Sequence, residues 1–386
     1  MANSFTSVLP TIVAQSLLAL REQAIITRVI NRDFENTPVA WGDVVNVTLP
    51  NTYTTSAVSP QAAPVTGADS TPIKVPITLN QWKKVNMYLT DKEFGMITAG
   101  ILPSQLSAMI RAIVNDVNSY FYGLYWKVYG FAGTAGTVPF NGGTSADVRT
   151  VRKVLNQQLA PDDDLRALII TPSAEASAYG VSDIARWDAR GAQAALIAGQ
   201  INGFMHFRWF MDQLVARHVS TALTAGAATV NGAHTVGQGS TDLGRTGTVS
   251  IAKATNSSPL VHGDILTFAG DSQTYAVQAD VTLAVGNTSV TIAPALTTAK
   301  SGGEAMTLTA SHTANLAFHR DAIYFASRPL NDLQGSANTF SMADPQTGLV
   351  LRAEIVRQHK QNLLELDVLY GGEVVRPELA CRLAGE

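Results

Sequence analysis

Apolar residues Ile12, Val13, Leu17, Leu20, Ala24 and Ile25 recur at helical spacing, which predicts an amphipathic helix over 11–30. Asn31, Arg32, Asp33 and Glu35 follow as a solvated stretch. From 41 to 89 the period falls to two. Val45, Val47 and Leu49 alternate with Val44, Asn46 and Thr48, and Ile73, Val75, Ile77 and Leu79 alternate with Lys74, Pro76, Thr78 and Asn80. Both runs predict strands. Pro76 has no N–H to give a ladder, so its strand is expected at an edge or at a bulge. The Thr/Ser/Ala/Pro segment 51–72 between them far exceeds the usual hairpin loop of about two to five residues. Two strands alone are marginal in water, so an arm of this length makes physical sense if it lies across another subunit.

A continuous apolar stripe follows: Leu106, Met109, Ile110, Ile113, Val117, Tyr120, Phe121, Leu124 and Val128. Pro103 and Ser104 mark its start, Gly130 and Gly133 its end. It predicts a spine helix of about 27 residues, with Gln105–Val128 as its rigid part, roughly 40 Å long at 1.5 Å per residue. Beyond a Gly-rich loop over 134–144, Val148, Val151, Leu155 and Leu159 predict a second helix, and Leu168-Ile169-Ile170 a short buried strand. Pro172 opens a helix over 173–179. Segment 191–203 is small and flexible in composition, and 204–210 alternates like a strand.

From 222 to 310 the texture changes to Thr, Val, Ala, Gly and Ser with almost no charge. Strand runs over 248–252, 264–269, 274–279, 289–293 and 305–309, punctuated by Gly and Asn, read as a small all-β unit set into the chain. A mixed texture resumes at Asn315. Val350, Arg352, Glu354 and Val356 then alternate with Leu349, Leu351, Ala353 and Ile355, and Leu364, Leu366 and Val368 with Glu365 and Asp367. Tyr370-Gly371-Gly372 reads as a turn before a last strand toward Leu383.

Composition sharpens this picture. Hydrophobic residues make up 46% of the 386, ample for a core, while charged residues make up 15%, against a usual share of about 25%. So little charge leans toward a surface hidden against partners. The net charge is −3, and no basic run is longer than a pair such as Lys83-Lys84, so there is no footprint for gripping nucleic acid. Cys381 is the sole cysteine, which excludes an internal disulfide or a cysteine-based zinc site. No Lys or Arg precedes Arg21 and Pro10 interrupts the first apolar run, which argues against a secretory signal. No run of about 18 apolar residues reads as membrane-spanning.

Candidate chemistry is sparse. Asp162-Asp163-Asp164 could hold a divalent cation through oxygen ligands, but after Pro161 three acids more simply make a solvated turn. The loop from Gly130 through Gly133 to Gly136 lacks the Gly-Lys-Ser/Thr ending of a phosphate loop, and 191–203 lacks Gly-x-Gly-x-x-Gly; both read as flexible connections. The seven histidines are scattered, with no His-Glu-x-x-His. His206 and His319 lie in apolar runs and are expected in a core or interface. No Gly-x-Ser-x-Gly elbow occurs. Lys83 and Lys84 are expected to keep an edge strand soluble. No catalytic, cofactor-binding or metal residue is assigned.

The order of parts (N-terminal helical arm, extended β-arm, spine helix, α/β segment, closing strands) resembles that of tailed-phage major capsid proteins. Three phrases resemble coat proteins of short-tailed phages that carry an insertion domain: 315–330 (NLAFHRDAIYFASRPL), 364–379 (LELDVLYGGEVVRPEL) and, within the β-unit, 261–270 (VHGDILTFAG). The resemblance implies an α+β fold with an N-terminal arm over 1–36, an extended β-loop over 37–90, a peripheral domain with the spine helix over 91–144 and an axial domain over 145–221. An inserted β-domain over 222–312 and return strands over 313–386 complete it. It further implies self-assembly into pentamers and hexamers of an icosahedral shell in the host cytoplasm. That shell would enclose double-stranded DNA without sequence-specific binding, with a separate scaffolding protein and a portal as partners and no membrane. The rival readings are an encapsulin-type compartment shell, an α/β hydrolase with a β-sandwich binding insert, for which a deep cleft holding Asp162–Asp164 and a histidine would speak, and a surface adhesin.

Overall fold

The computed structural model describes residues 24–33, 44–49, 55, 72–90, 101–185, 203–223, 226–240, 245–330, 339–344 and 346–386. Most of the N-terminal helix expected over 11–30, nearly all of the arm segment 51–72 and all but Gly203 of segment 191–203 lie outside the described residues. Within 24–33 the chain forms a 3-10 turn, Ile26–Arg28, rather than an α-helix, and Ile26, Val29 and Ile30 are buried in the main core.

Strands β1 (Val44–Leu49) and β2 (Ile73–Thr78) pair antiparallel, with Val47 opposite Val75 and Asn46 opposite Pro76. A two-stranded sheet has only edges, which is where a residue without an N–H is tolerated. One face of this pair, Val45, Val47, Val75 and Ile77, packs with Leu79 on Ala326 and Val375. The base of the arm therefore buries itself on its own body.

After β3 (Gln81–Thr90) comes α1 (Ile101–Gly123), 23 residues and about 35 Å long. The apolar stripe continues past Gly123, yet the helix stops there and tightens into a 3-10 turn, Leu124–Lys127. This turn places Tyr125, Trp126 and Lys127 against other elements instead of along the helix axis. Then follow β4 (Gly130–Ala132), α2 (Ala146–Gln157), β5 (Arg166–Ile170), α3 (Pro172–Ala178), α4 (Ser182–Ala185), β6 (Arg208–Met211) and β7 (Arg217–His218). Helix α3 has Pro172 in its first turn and Thr171 as N-cap, its hydroxyl accepting from the Ala174 N–H, as helix starts favour. Leu159, expected on α2, lies beyond it at φ +60° and is 87% exposed. The strand expected over 204–210 begins only at Arg208, because Met205 and His206 take positive φ in a tight turn closed by a Phe204–Phe207 bridge.

The middle third supplies β8 (Ala228–Val230), β9 (Gly247–Lys253), β10 (Ser258–Leu260), β11 (Ile265–Phe268), β12 (Tyr275–Val277), β13 (Val281–Leu283), β14 (Gly286–Ala293) and β15 (Met306–Leu308). Six of these form an antiparallel sheet in the order β15-β11-β12-β14-β9-β8, and β10 pairs with β13. Val249, Ile251, Phe268, Tyr275, Val290 and Ile292 lie in an apolar cluster separate from the main core. The last third adds β16 (His312–His319), β17 (Ile323–Ser327), β18 (Thr339–Ala343), β19 (Val350–Gln358), β20 (Gln361–Val374) and β21 (Ala380–Ala384).

Two body sheets result. One runs β4-β21-β16-β5-β6 with β7 beside β16; the other runs β17-β20-β19-β18 with β3 along β20. A single core joins them through α1 and α2, including Ile113, Val117, Phe121, Val151, Ile169 and Leu366. The turn expected at 370–372 is absent: β20 runs straight through Gly371 and Gly372 for 14 residues. A Cβ on Gly371 would sit 2.2 Å from the Thr78 carbonyl oxygen, and one on Gly372 would sit 2.2 Å from the Phe121 ring. These glycines serve close approach, not chain reversal. Gly130 also leaves the flexible-loop reading, since it lies in β4 with the Ala380 carbonyl 2.6 Å from where its Cβ would stand.

Candidate functional site: the spine, the arm-bearing sheet and a buried junction

Helix α1 touches both body sheets through consecutive aromatics. The Tyr120 hydroxyl donates to the Gly372 carbonyl at 3.0 Å, and Tyr370 donates to Asp116 Oδ2 at 3.0 Å. Phe121 stands edge-on to Phe325. On the other side the Tyr122 hydroxyl and the Asn118 amide both donate to Asp212 Oδ2, at 2.7 and 3.3 Å. Burial, reinforced by the Asp212 carboxylate, lifts the Tyr122 phenol well above its usual range, so it stays a donor. These bonds pin the helix between the two sheets.

The face of β3 away from the helix carries Trp82, Lys84, Asn86 and Tyr88, with Trp82 and Tyr88 each more than half exposed. Trp82 is held in place by its indole N–H, which donates to Asp367 Oδ2 at 2.9 Å. Arg352 grips the same carboxylate through two nitrogens at 3.0 and 2.6 Å. Lys84 pairs with Glu365 at 2.9 Å and Lys83 with Asp116 at 3.5 Å. The two lysines do sit on an edge strand, as expected, and each has an acidic partner.

Where the β-unit meets the body lies a polar cluster that sequence reasoning missed. Arg382, on β21, is fully buried. It donates to three backbone carbonyls: Val128 at 2.7 Å, Gly263 at 2.7 Å and Trp126 at 3.2 Å. Burial lowers its pKa to about 9, so it remains a cation at neutral pH. Gly263 takes φ +88°, and a Cβ there would meet Trp126 Cβ at 2.8 Å, so only glycine lets this loop approach. Beside it His218 Nε2 lies 2.8 Å from Asp264 Oδ1, and Tyr125 Oη 3.0 Å from His218 Nδ1. A carboxylate only accepts, so His218 Nε2–H donates to Asp264. His312 Nδ1 faces the Ala310 carbonyl at 2.9 Å, which places its proton there and leaves Nε2 buried without a partner. Burial, reinforced by Arg382 and His218, lowers this imidazole to about 4. The one sequence signal for this cluster was a lone arginine within the apolar run 380–384.

The chain enters and leaves the β-unit side by side. His218 pairs with His312 in register; Ser220 N–H donates to Ser311 Oγ at 3.0 Å, and Ser311 returns a bond to the Ser220 carbonyl at 3.2 Å.

Of the three sequence-nominated acids, Asp162 and Asp163 are ion-paired, while Asp164 is exposed as a solvated turn predicts. Asp162 receives Arg152 at 2.7 Å and Arg166 at 3.3 Å, with His206 at 3.4 Å. The Arg152 bond leads in holding its carboxyl below the usual range. Asp163 faces His319 Nε2 at 3.2 Å, while His319 Nδ1 accepts from the Asp321 N–H. His319 is buried as expected; His206 is exposed, because its turn projects it outward. Among the described residues no group of three or more His, Cys, Asp or Glu is arranged to hold a metal. A cavity of about 300 Å3 lies elsewhere, against Val75, Trp126, Lys127, Arg245, Gln278 and Glu373, and none of the acid–histidine pairs lines it.

No protein-family model and no curated protein matches this chain. Among solved structures, a chain of Mycobacterium phage Che8 aligns over 94% of this chain and 91% of its own, at 12% identity and a TM-score of 0.52. A chain from the capsid of the cyanophage P-SCSP1u aligns over 90% and 84%, at 12% identity and a TM-score of 0.49. One from the mature capsid of bacteriophage PhiM1 aligns over 88% and 81%, at 8% identity and a TM-score of 0.44. With its long helix and its two packed sheets, the chain shares the α+β fold of that Mycobacterium phage Che8 chain.

Proposed function

We propose that this protein is a major capsid protein whose copies assemble as pentamers and hexamers into an icosahedral shell around phage double-stranded DNA. The observation that carries this reading is the fold itself: a two-stranded arm rooted on a sheet that a pinned helix braces. The exposed Trp82 and Tyr88 on the outer face of that sheet support it. Trp82, held by its bond to Asp367, is an anchor of the kind protein interfaces use. The low charge of the chain agrees with a container that does not grip its contents.

The finer reading follows the division inferred from sequence. Residues 1–36 form the N-terminal arm, 37–90 the extended loop, 91–144 the peripheral domain, 145–221 the axial domain and 313–386 the returning strands. Residues 222–312 are an inserted β-domain. Its separate apolar cluster and its paired points of entry and exit support that assignment. The subgroup is the short-tailed phages, and the partners outside the shell lattice are a separate scaffolding protein and a portal.

The test is to purify the protein, alone and co-expressed with a scaffold, and to image it by electron microscopy. Closed icosahedral particles are expected. A species that stays monomeric under every condition overturns the reading.

A further inference from the structure

Between the β-unit and the body a buried histidine stands beside a buried cation. His312 and His218 face each other with ring centroids 5.3 Å apart, on the strands by which the chain leaves and re-enters the body. The groups around His312 come from five elements. The facing strand β7 brings His218, the 3-10 turn after α1 brings Tyr125, and the loop before β11 brings Asp264. Strand β21 brings Arg382, and β4 sets the edge of Phe131 against the ring at 5.2 Å. Asp264 already accepts from His218 and from the Val261 N–H at 2.8 Å. All three bonds of Arg382 go to carbonyls. In the closed junction His312 Nε2 has no hydrogen-bond partner, so a proton arriving there is left unsatisfied. It also adds a second positive charge beside Arg382, away from water, where desolvation is costly. Such a ring takes its proton readily only when the junction parts and water reaches it.

We propose that this junction is an acid-operated latch, in which protonation of His312 frees the loop 261–264 of the β-unit from Trp126, Val128 and Arg382 while the unit's own sheet stays folded. The direction follows from linkage. The closed junction holds the imidazole at about 4, against about 6.5 for an exposed one. Closure is thus fully favoured above pH 6.5 and loses ground as pH falls toward 4. Between pH 7.5 and pH 5 the open form gains roughly 30-fold. The latch belongs to the subunit and operates whether or not subunits form a shell.

The test is hydrogen exchange by mass spectrometry on the full chain at pH 7.5 and 5.0, corrected for intrinsic exchange rates. Peptides over 124–129 should lose protection about 30-fold at pH 5, while those over 247–253 and 286–293, within the β-unit, keep theirs. His312→Phe, which retains a ring against Phe131 but cannot titrate, should abolish the response, and His312→Gln serves if the first variant misfolds. Three results overturn the latch: unchanged junction protection at pH 5, loss of the sheet together with the junction, or a response that persists without His312. Should neither variant fold, an NMR titration of the His312 ring in the native chain decides, and a pKa above 6 overturns it.

Discussion

Arg382 on the last strand donates from Nη1 to the carbonyl oxygen of Gly263 at 2.7 Å, across 119 residues of chain. With its bonds to Val128 and Trp126 it ties the β-unit, the end of the spine and the final strand together in one buried fork. Arg382→Met strands three carbonyls at about 1 kcal/mol or more each, so we expect a loss of at least about 3 kcal/mol in urea denaturation. Arg382→Lys should recover only part of it, because a compact ammonium cannot span the three acceptors as a planar guanidinium does.

Gly371 and Gly372 are expected to resist substitution unequally. The Cβ of Gly371→Ala meets a backbone oxygen, that of Thr78, and only a shift of the arm base relieves it. The Cβ of Gly372→Ala meets the Phe121 ring, which has some freedom to tilt. Overpacking of this kind costs about 1–3 kcal/mol. Thermal unfolding should rank the two variants with Gly371→Ala the more damaged.

Lys300 and Asp271 form a 2.8 Å ion pair, each side chain only 3% exposed, within the β-unit. Burial alone would raise the Asp271 carboxyl, but Lys300, the Gln273 N–H and the Tyr275 hydroxyl outweigh it and hold it below the usual range. Lys300→Met leaves a buried carboxylate without its cation, which costs about 3–5 kcal/mol. The double variant Lys300→Met, Asp271→Leu should be markedly more stable than the single one, because no buried charge remains. Calorimetry of the two variants measures the difference.

Cys381 is fully buried, and burial pushes its thiol up to about 12. The thiolate is the reactive form, so the native protein at pH 8 should resist maleimide or disulfide reagents and label fully in denaturant. Rapid labelling of the native chain would show that β21 opens locally.

Much of the fold was legible in local pattern. The arm strands, most of the spine, the buried strand at 168–170 and the β-texture of the middle third follow from periods of 3.6 and 2 and from short apolar runs, which depend only on neighbours in sequence. Where two readings shared one local signal, position in the fold chose between them. Tyr-Gly-Gly at 370–372 has the composition of a turn, yet the strand continues because Thr78 and Phe121 occupy the space that side chains would need. Leu159 keeps the helical period but falls past the last turn of α2, exposed at positive φ.

The amino-acid sequence by itself determined the periods, the order of elements and a charge pattern unsuited to binding DNA, because those reside in adjacent residues. The junction was decided only by tertiary structure. Arg382 meets carbonyls 119, 254 and 256 residues away, and His218 meets an aspartate 46 residues on. No spacing rule relates such partners. Burial selects them, since a charge or an imidazole removed from water is stable only where the folded chain supplies its hydrogen bonds.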